Sequence, residues 1–100
     1  MLKSRKYALL TQNNGMEMWI LKIYDFDGKK NICGRKVREA RNNLGLTQDE
    51  FAARLQIAGV NIGRDSVSRL EKGTRFVADY ELKVLAQILE VEISWLVSDN

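Results

Sequence analysis

The stretch GRDSVSRLEKG, Gly63 to Gly73, decides how the chain is read. Val67 and Leu70 stand three apart, as a buried helical stripe does. On a wheel of about 100° per residue, Asp65, Ser68, Arg69 and Lys72 gather on the opposite side, with Arg64 at the edge of that face. Gly63 is a tolerable N-cap, and Gly73 is a stop of the kind that ends helices. A short helix with one apolar face and one face rich in cations is either an ordinary solvated helix or one that reads a polyanion. The flanking sequence must separate the two.

Upstream, the helix start is strongly marked. Thr47 precedes Glu50 by three, the spacing of a capping box, and Leu46 with Phe51 fits a hydrophobic staple. This second helix turns Phe51, Ala52 and Leu55 inward. Before it, Val37, Ala40 and Leu44 form the stripe of a basic first helix that Gly45 ends. Downstream, Leu82, Leu85, Ala86 and Leu89 share one stripe, and Ile93–Val97 forms a short closing helix. Leu82, Leu85, Trp95 and Leu96 are assigned to the core or to a dimer surface. The N-terminal part has a different period. Asn13-Asn14-Gly15 lies between two apolar, aromatic runs, a hairpin signal, and Trp19–Phe26 is β-prone. A polar turn around Gly28 follows at Asp25–Lys30.

Composition narrows the function. One hundred residues with 45% hydrophobic content hold one small globular domain and one accessory element. No apolar run is long enough for a membrane span, and the basic start lacks the features of a signal peptide. The sequence has no histidine and a single cysteine, Cys33. That combination removes the usual general base, the Ser–His and Cys–His nucleophile pairs and the common zinc sets. No glycine-rich phosphate loop stands out, so no enzyme, cofactor or metal is expected. A lone cysteine suits a reducing cytoplasm. Charge is unevenly spread: residues 28–75 carry eleven basic and five acidic side chains, whereas residues 76–100 carry one basic and five acidic. A polyanionic partner belongs with the middle segment.

Taken together, LTQDEFAARL, GRDSVSRLEKG and ELKVLAQILEVEISWLV resemble the phage-repressor and Cro-like helix-turn-helix family of bacterial regulators. The resemblance covers about residues 33–97. It implies a mainly α, compact five-helix domain (32–98) whose third helix enters the major groove of double-stranded DNA. Residues 1–31 form an extension outside the resemblance, with three readings open: a hairpin packed on the helices, an edge pairing with a second copy, or a mobile segment. In this docking mode the N-terminal part of the third helix reaches deepest. Arg64, Asp65, Ser68 and Arg69 are therefore the base-reading candidates, since arginine can grip guanine with two bonds. Asp65 can accept from cytosine or, the preferred reading, pair with Arg69 four residues on.

In similar proteins the residue matching Gln48 contacts phosphate and steadies a recognition residue. Those matching Arg41 and Glu71 form a salt bridge that presents the third helix. Arg35, Lys36, Arg38, Lys72, Thr74 and Arg75 are further phosphate candidates. The link from Leu55 to Arg64 is about five residues longer than in similar proteins, so residues around Gln56–Asn61 either extend the second helix or bulge toward the DNA backbone. Glu90 and Glu92 stand where a stopping glycine and a Ser-type cap are common. The function these features imply is a cytoplasmic regulator, a repressor occupying a palindromic operator as a homodimer. The rival reading is an antitoxin that chiefly binds a toxin protein, which a toxin gene next door would favour.

Overall fold

The computed structural model describes residues 26–99. Among them are five helices: α1 (Gly34–Asn43), α2 (Gln48–Ile57), α3 (Arg64–Lys72), α4 (Asp79–Leu89) and α5 (Ile93–Leu96). The expected Asn13-Asn14-Gly15 turn, and all of the expected Trp19–Phe26 strand except its last residue, lie outside the described residues. No described helix is long and apolar enough to cross a membrane.

Local chemistry sets most helix boundaries. At α2, Thr47 Oγ1 accepts from the Glu50 amide at 3.0 Å and Glu50 Oε1 accepts from the Thr47 amide at 2.8 Å, a complete capping box. Helix α3 begins at Gly63 and stops at Gly73, whose φ of +82° lies in the left-handed region. Helix α4 starts at Ala78, which has no capping side chain, so Glu81 reaches back to accept from the Ala78 amide at 3.1 Å. It ends at Glu90, held at φ 60° where a glycine would be unstrained. Glu92 begins α5 without a side-chain cap.

The apolar stripes meet in one core. Val37, Phe51, Leu55, Val67, Leu70, Leu85 and Leu96 are fully buried, and Leu82 and Trp95 pack against them half-buried. A buried side chain of this size contributes about 1.5–3 kcal/mol relative to exposure. Leu44 departs from the expected stripe. The helix ends at Asn43, which leaves Leu44 as the C-cap, exposed, while Leu46 turns inward.

Helix α1 packs on α3 at unusually close range. A Cβ at Gly34 would fall 2.3 Å from the Leu70 carbonyl oxygen and 2.8 Å from that of Glu71, so only glycine admits this approach. Asn31 fastens the same junction. Its Oδ1 accepts from the amides of Cys33 and Gly34, at 3.1 and 2.8 Å. Its Nδ2 donates to the carbonyls of Leu70 and Arg75, at 3.0 and 2.7 Å. One amide side chain thus joins the start of α1 to the end of α3.

The lengthened link between α2 and α3 resolves in two parts. Helix α2 continues to Ile57, and the remaining residues turn back into the protein. Val60 and Ile62 are buried there. The Val60 amide donates to Leu55 O at 2.8 Å, and Gln56 Nε2 donates to Ile62 O at 2.7 Å. Two apolar anchors hold this loop together with these hydrogen bonds and those of the Gly59 and Ile62 amides to Gln56 O and Val60 O, while Ile57 at its entrance stays exposed.

Candidate nucleic-acid interface

The inward face of α3 holds a polar latch among apolar contacts. Glu71 is buried and receives Arg41 Nε at 2.6 Å and Arg41 Nη2 at 3.0 Å. Arg41 Nη1 also donates to Leu46 O at 2.8 Å. Gln48 Nε2, from the first turn of α2, donates to Glu71 Oε1 at 3.1 Å. One carboxylate of α3 is therefore gripped from both α1 and α2. A paired, hydrogen-bonded buried charge of this kind fixes geometry more surely than it adds stability. The Arg41–Glu71 pairing has the geometry implied for similar proteins. Gln48 joins it from the side, a link between α2 and α3 that spacing alone did not suggest.

The outward face of α3 is differently occupied. Arg64, Asp65, Arg69 and Lys72 are exposed and Ser68 is half-buried. Arg64 Nε lies 4.0 Å from Asp49 Oδ1 of α2, with both side chains mostly exposed. Such a contact is worth about 0–1 kcal/mol and yields readily to a stronger partner. Asp49 was not anticipated in this role, because its meeting with Arg64 exists only once α2 and α3 have packed. Arg69 does not pair with Asp65 as expected. Its Nη2 donates to Ser66 Oγ, 3.2 Å away and one turn earlier, which leaves Asp65 outside the ion pairs of the described residues.

The phosphate candidates divide by their neighbours. Arg35 and Arg38 on α1, Lys72 at the end of α3 and Thr74 are exposed. Thr74 Oγ1 donates to Arg69 O at 3.1 Å and so closes the helix end. Two others, Lys36 and Arg75, have partners within the protein. Lys36 is buried: its ammonium lies 5.1 Å from the centroid of the Trp95 ring and donates to Ser98 Oγ. Arg75 forms a two-pronged ion pair with Glu81, at 3.0 and 3.2 Å, and also donates to Phe76 O at 2.9 Å. Both cations face the closing helices, where an aromatic ring and a carboxylate supply better partners than solvent.

Titration behaviour follows this division. The hydrogen bond from Arg75 holds the Glu81 carboxyl below its ordinary range, against some desolvation by burial. Glu50 is likewise lowered, chiefly by the Thr47 amide it accepts from. Burial pushes the Cys33 thiol up to about 11, so it remains a protonated core side chain near neutrality. Asn31 carries a signal that is visible in the sequence, since asparagine just before a helix start is a recognisable capping residue.

The geometry suits binding to an extended anion rather than chemistry on a small molecule. Cationic side chains surround a helix that is latched from behind and polar in front. Against known families, a helix-turn-helix family model matches residues 37–96, which takes in all of α2 through α5 and most of α1. No curated protein and no solved structure matches the chain.

Proposed function

The chain belongs to the helix-turn-helix family and is a DNA-binding transcriptional regulator; from that premise we propose that it represses by occupying an operator. The observation that carries this reading is the two-sided build of α3. Its inner side is latched through Glu71, and its outer side presents Arg64, Asp65, Ser68 and Arg69 near the helix start. In helix-turn-helix docking these positions meet base edges, and a two-bond arginine–guanine contact discriminates by about 1–3 kcal/mol. Arg35, Arg38 and Lys72 are assigned to the flanking phosphates, with Gln48 positioning α3. Blocking a promoter needs only occupancy. The exposed apolar side chains Ile57, Phe76 and Tyr80 offer surface for a second copy. A two-fold dimer would then read a palindrome with half-sites about one helical turn apart. The compartment proposed for this work is the cytoplasm.

Selection from random duplexes tests the proposal. Purified wild-type protein should enrich one palindromic sequence. Arg64→Ala and Arg69→Ala should flatten that preference, whereas Arg35→Ala should weaken binding to every duplex by a similar factor. Unchanged preference in both α3 variants would remove α3 as the reader.

A further inference from the structure

We propose that Lys29, which lies outside the family-matched segment, is a phosphate-contacting residue of the same DNA interface; the inference rests on the DNA-binding reading above.

The chain is built to place this residue. Asp27 and Gly28 have φ of 53° and 76°, and Phe26 and Lys29 exchange both backbone hydrogen bonds, at 2.6 and 2.9 Å. This is a two-residue turn of the I′ class, the tightest hairpin connection. The next amide, that of Lys30, donates to Gly73 O at 2.8 Å, and Asn31 then enters the α1–α3 junction. Lys29 is thus fixed to the C-terminal end of α3 by bonds on the residues that follow it.

Its side chain runs across Gly73. A Cβ at that position would fall 2.6 Å from Lys29 Cδ and 3.6 Å from its Nζ. Gly73 therefore serves twice, as the left-handed stop of α3 and as the bare surface over which the lysine stem passes. The stem enters an open depression of about 540 Å³ between α1, α2 and α3. Lys29, Arg38 and Lys72 border it, with Gln48 and Ser68 as neutral polar groups. The carboxylate in its lining belongs to Glu71, which Arg41 already neutralises. Among the described residues, the charged groups of Lys29, Arg38 and Lys72 have no hydrogen bond or ion pair. Three uncommitted cations converge beside the reading helix, an arrangement whose fitting occupant is a phosphodiester of the bound duplex.

The test uses the full chain and a short mixed-sequence duplex, with binding followed by fluorescence anisotropy through a salt series. Lys29→Met keeps the stem over Gly73 and removes only the charge; Lys29→Gln is the second charge-neutral variant, and Lys29→Arg restores the charge. Loss of one phosphate contact lowers the magnitude of the log–log salt slope by about 0.9, which at about 0.1 M salt is roughly an eightfold loss of affinity. The expected result is that loss in Met and Gln variants on every duplex, with sequence preference unchanged and near wild-type binding for Lys29→Arg. A folded Met or Gln variant with wild-type affinity and slope would overturn the assignment while leaving the DNA-binding reading intact. A wild-type protein that binds no duplex at any salt concentration would overturn both.

Discussion

Replacing Glu71 with glutamine keeps the shape of the latch and removes its charge, which makes the consequence calculable. Glu71 accepts two bonds from the Arg41 guanidinium and one from Gln48, with only 2% of its side chain exposed. Charge-assisted bonds contribute about 1.5–3 kcal/mol each, and orphaning one member of a buried pair costs about 3–5 kcal/mol. Glutamine can still accept at one oxygen, but both oxygens of Glu71 accept from Arg41, so in either orientation its amide faces an Arg41 N–H. The expected loss is therefore near the lower end, about 3 kcal/mol. A domain of this size has of the order of 4–11 kcal/mol in total, so the variant should unfold at a much lower urea midpoint with little change in the slope. The double variant Arg41→Met/Glu71→Leu removes both charges and should recover most of that loss. Urea titration followed by circular dichroism reads all three proteins. A Glu71→Gln variant within about 1 kcal/mol of wild type would refute the reasoning, as would a double variant worse than the single one.

Glu90 holds the left-handed position at the end of α4, where a non-glycine residue is strained by about 1–2 kcal/mol. Glu90→Gly is expected to raise Tm by about 4–8 °C, the shift that about 1 kcal/mol produces in a domain this small; an unchanged or lower Tm in calorimetry would contradict it. On the acid side, Glu81 and Glu50 have carboxyls depressed below their ordinary value of 4.5, Glu81 mainly through Arg75 and Glu50 mainly through the Thr47 amide. Their contributions are fully present above that value and are lost as pH falls through the depressed folded values. Stability measured between about pH 5 and pH 2 should therefore decline, and Glu81→Gln should make the decline shallower. An identical acid limb in the variant would count against the Arg75–Glu81 pair.

Local signals were legible because they are complete within a few residues. The Thr47–Glu50 box, the stop at Gly73 and the two faces of α3 depend only on neighbouring positions, and each stands in the structure. What spacing could not show was decided by distant partners. Lys36 resembles any other cation of a basic helix until Trp95 and Ser98 arrive from the end of the chain. The ion pair of Arg75 likewise exists only once α4 brings Glu81 beside it. Leu44 falls at a helix boundary, where one residue separates the buried stripe from the cap. The length of the α2–α3 link is plain in the sequence, yet its inward course rests on the burial of Val60 and Ile62, which no local turn rule dictates.

The latch through Arg41, Gln48 and Glu71 also bears on how such a protein can change its target. None of its three residues is among those assigned to base edges, and it holds α3 from behind. Arg64, Asp65 and Arg69 are exposed, so their replacement disturbs little of the packing that keeps the domain folded. A duplicated gene could therefore acquire a new operator through a few codon changes on one helix face, while the copies kept the same scaffold and a similar stability. The same separation gives an engineer a defined library: vary 64, 65, 68 and 69 together, and leave 41, 48 and 71 alone.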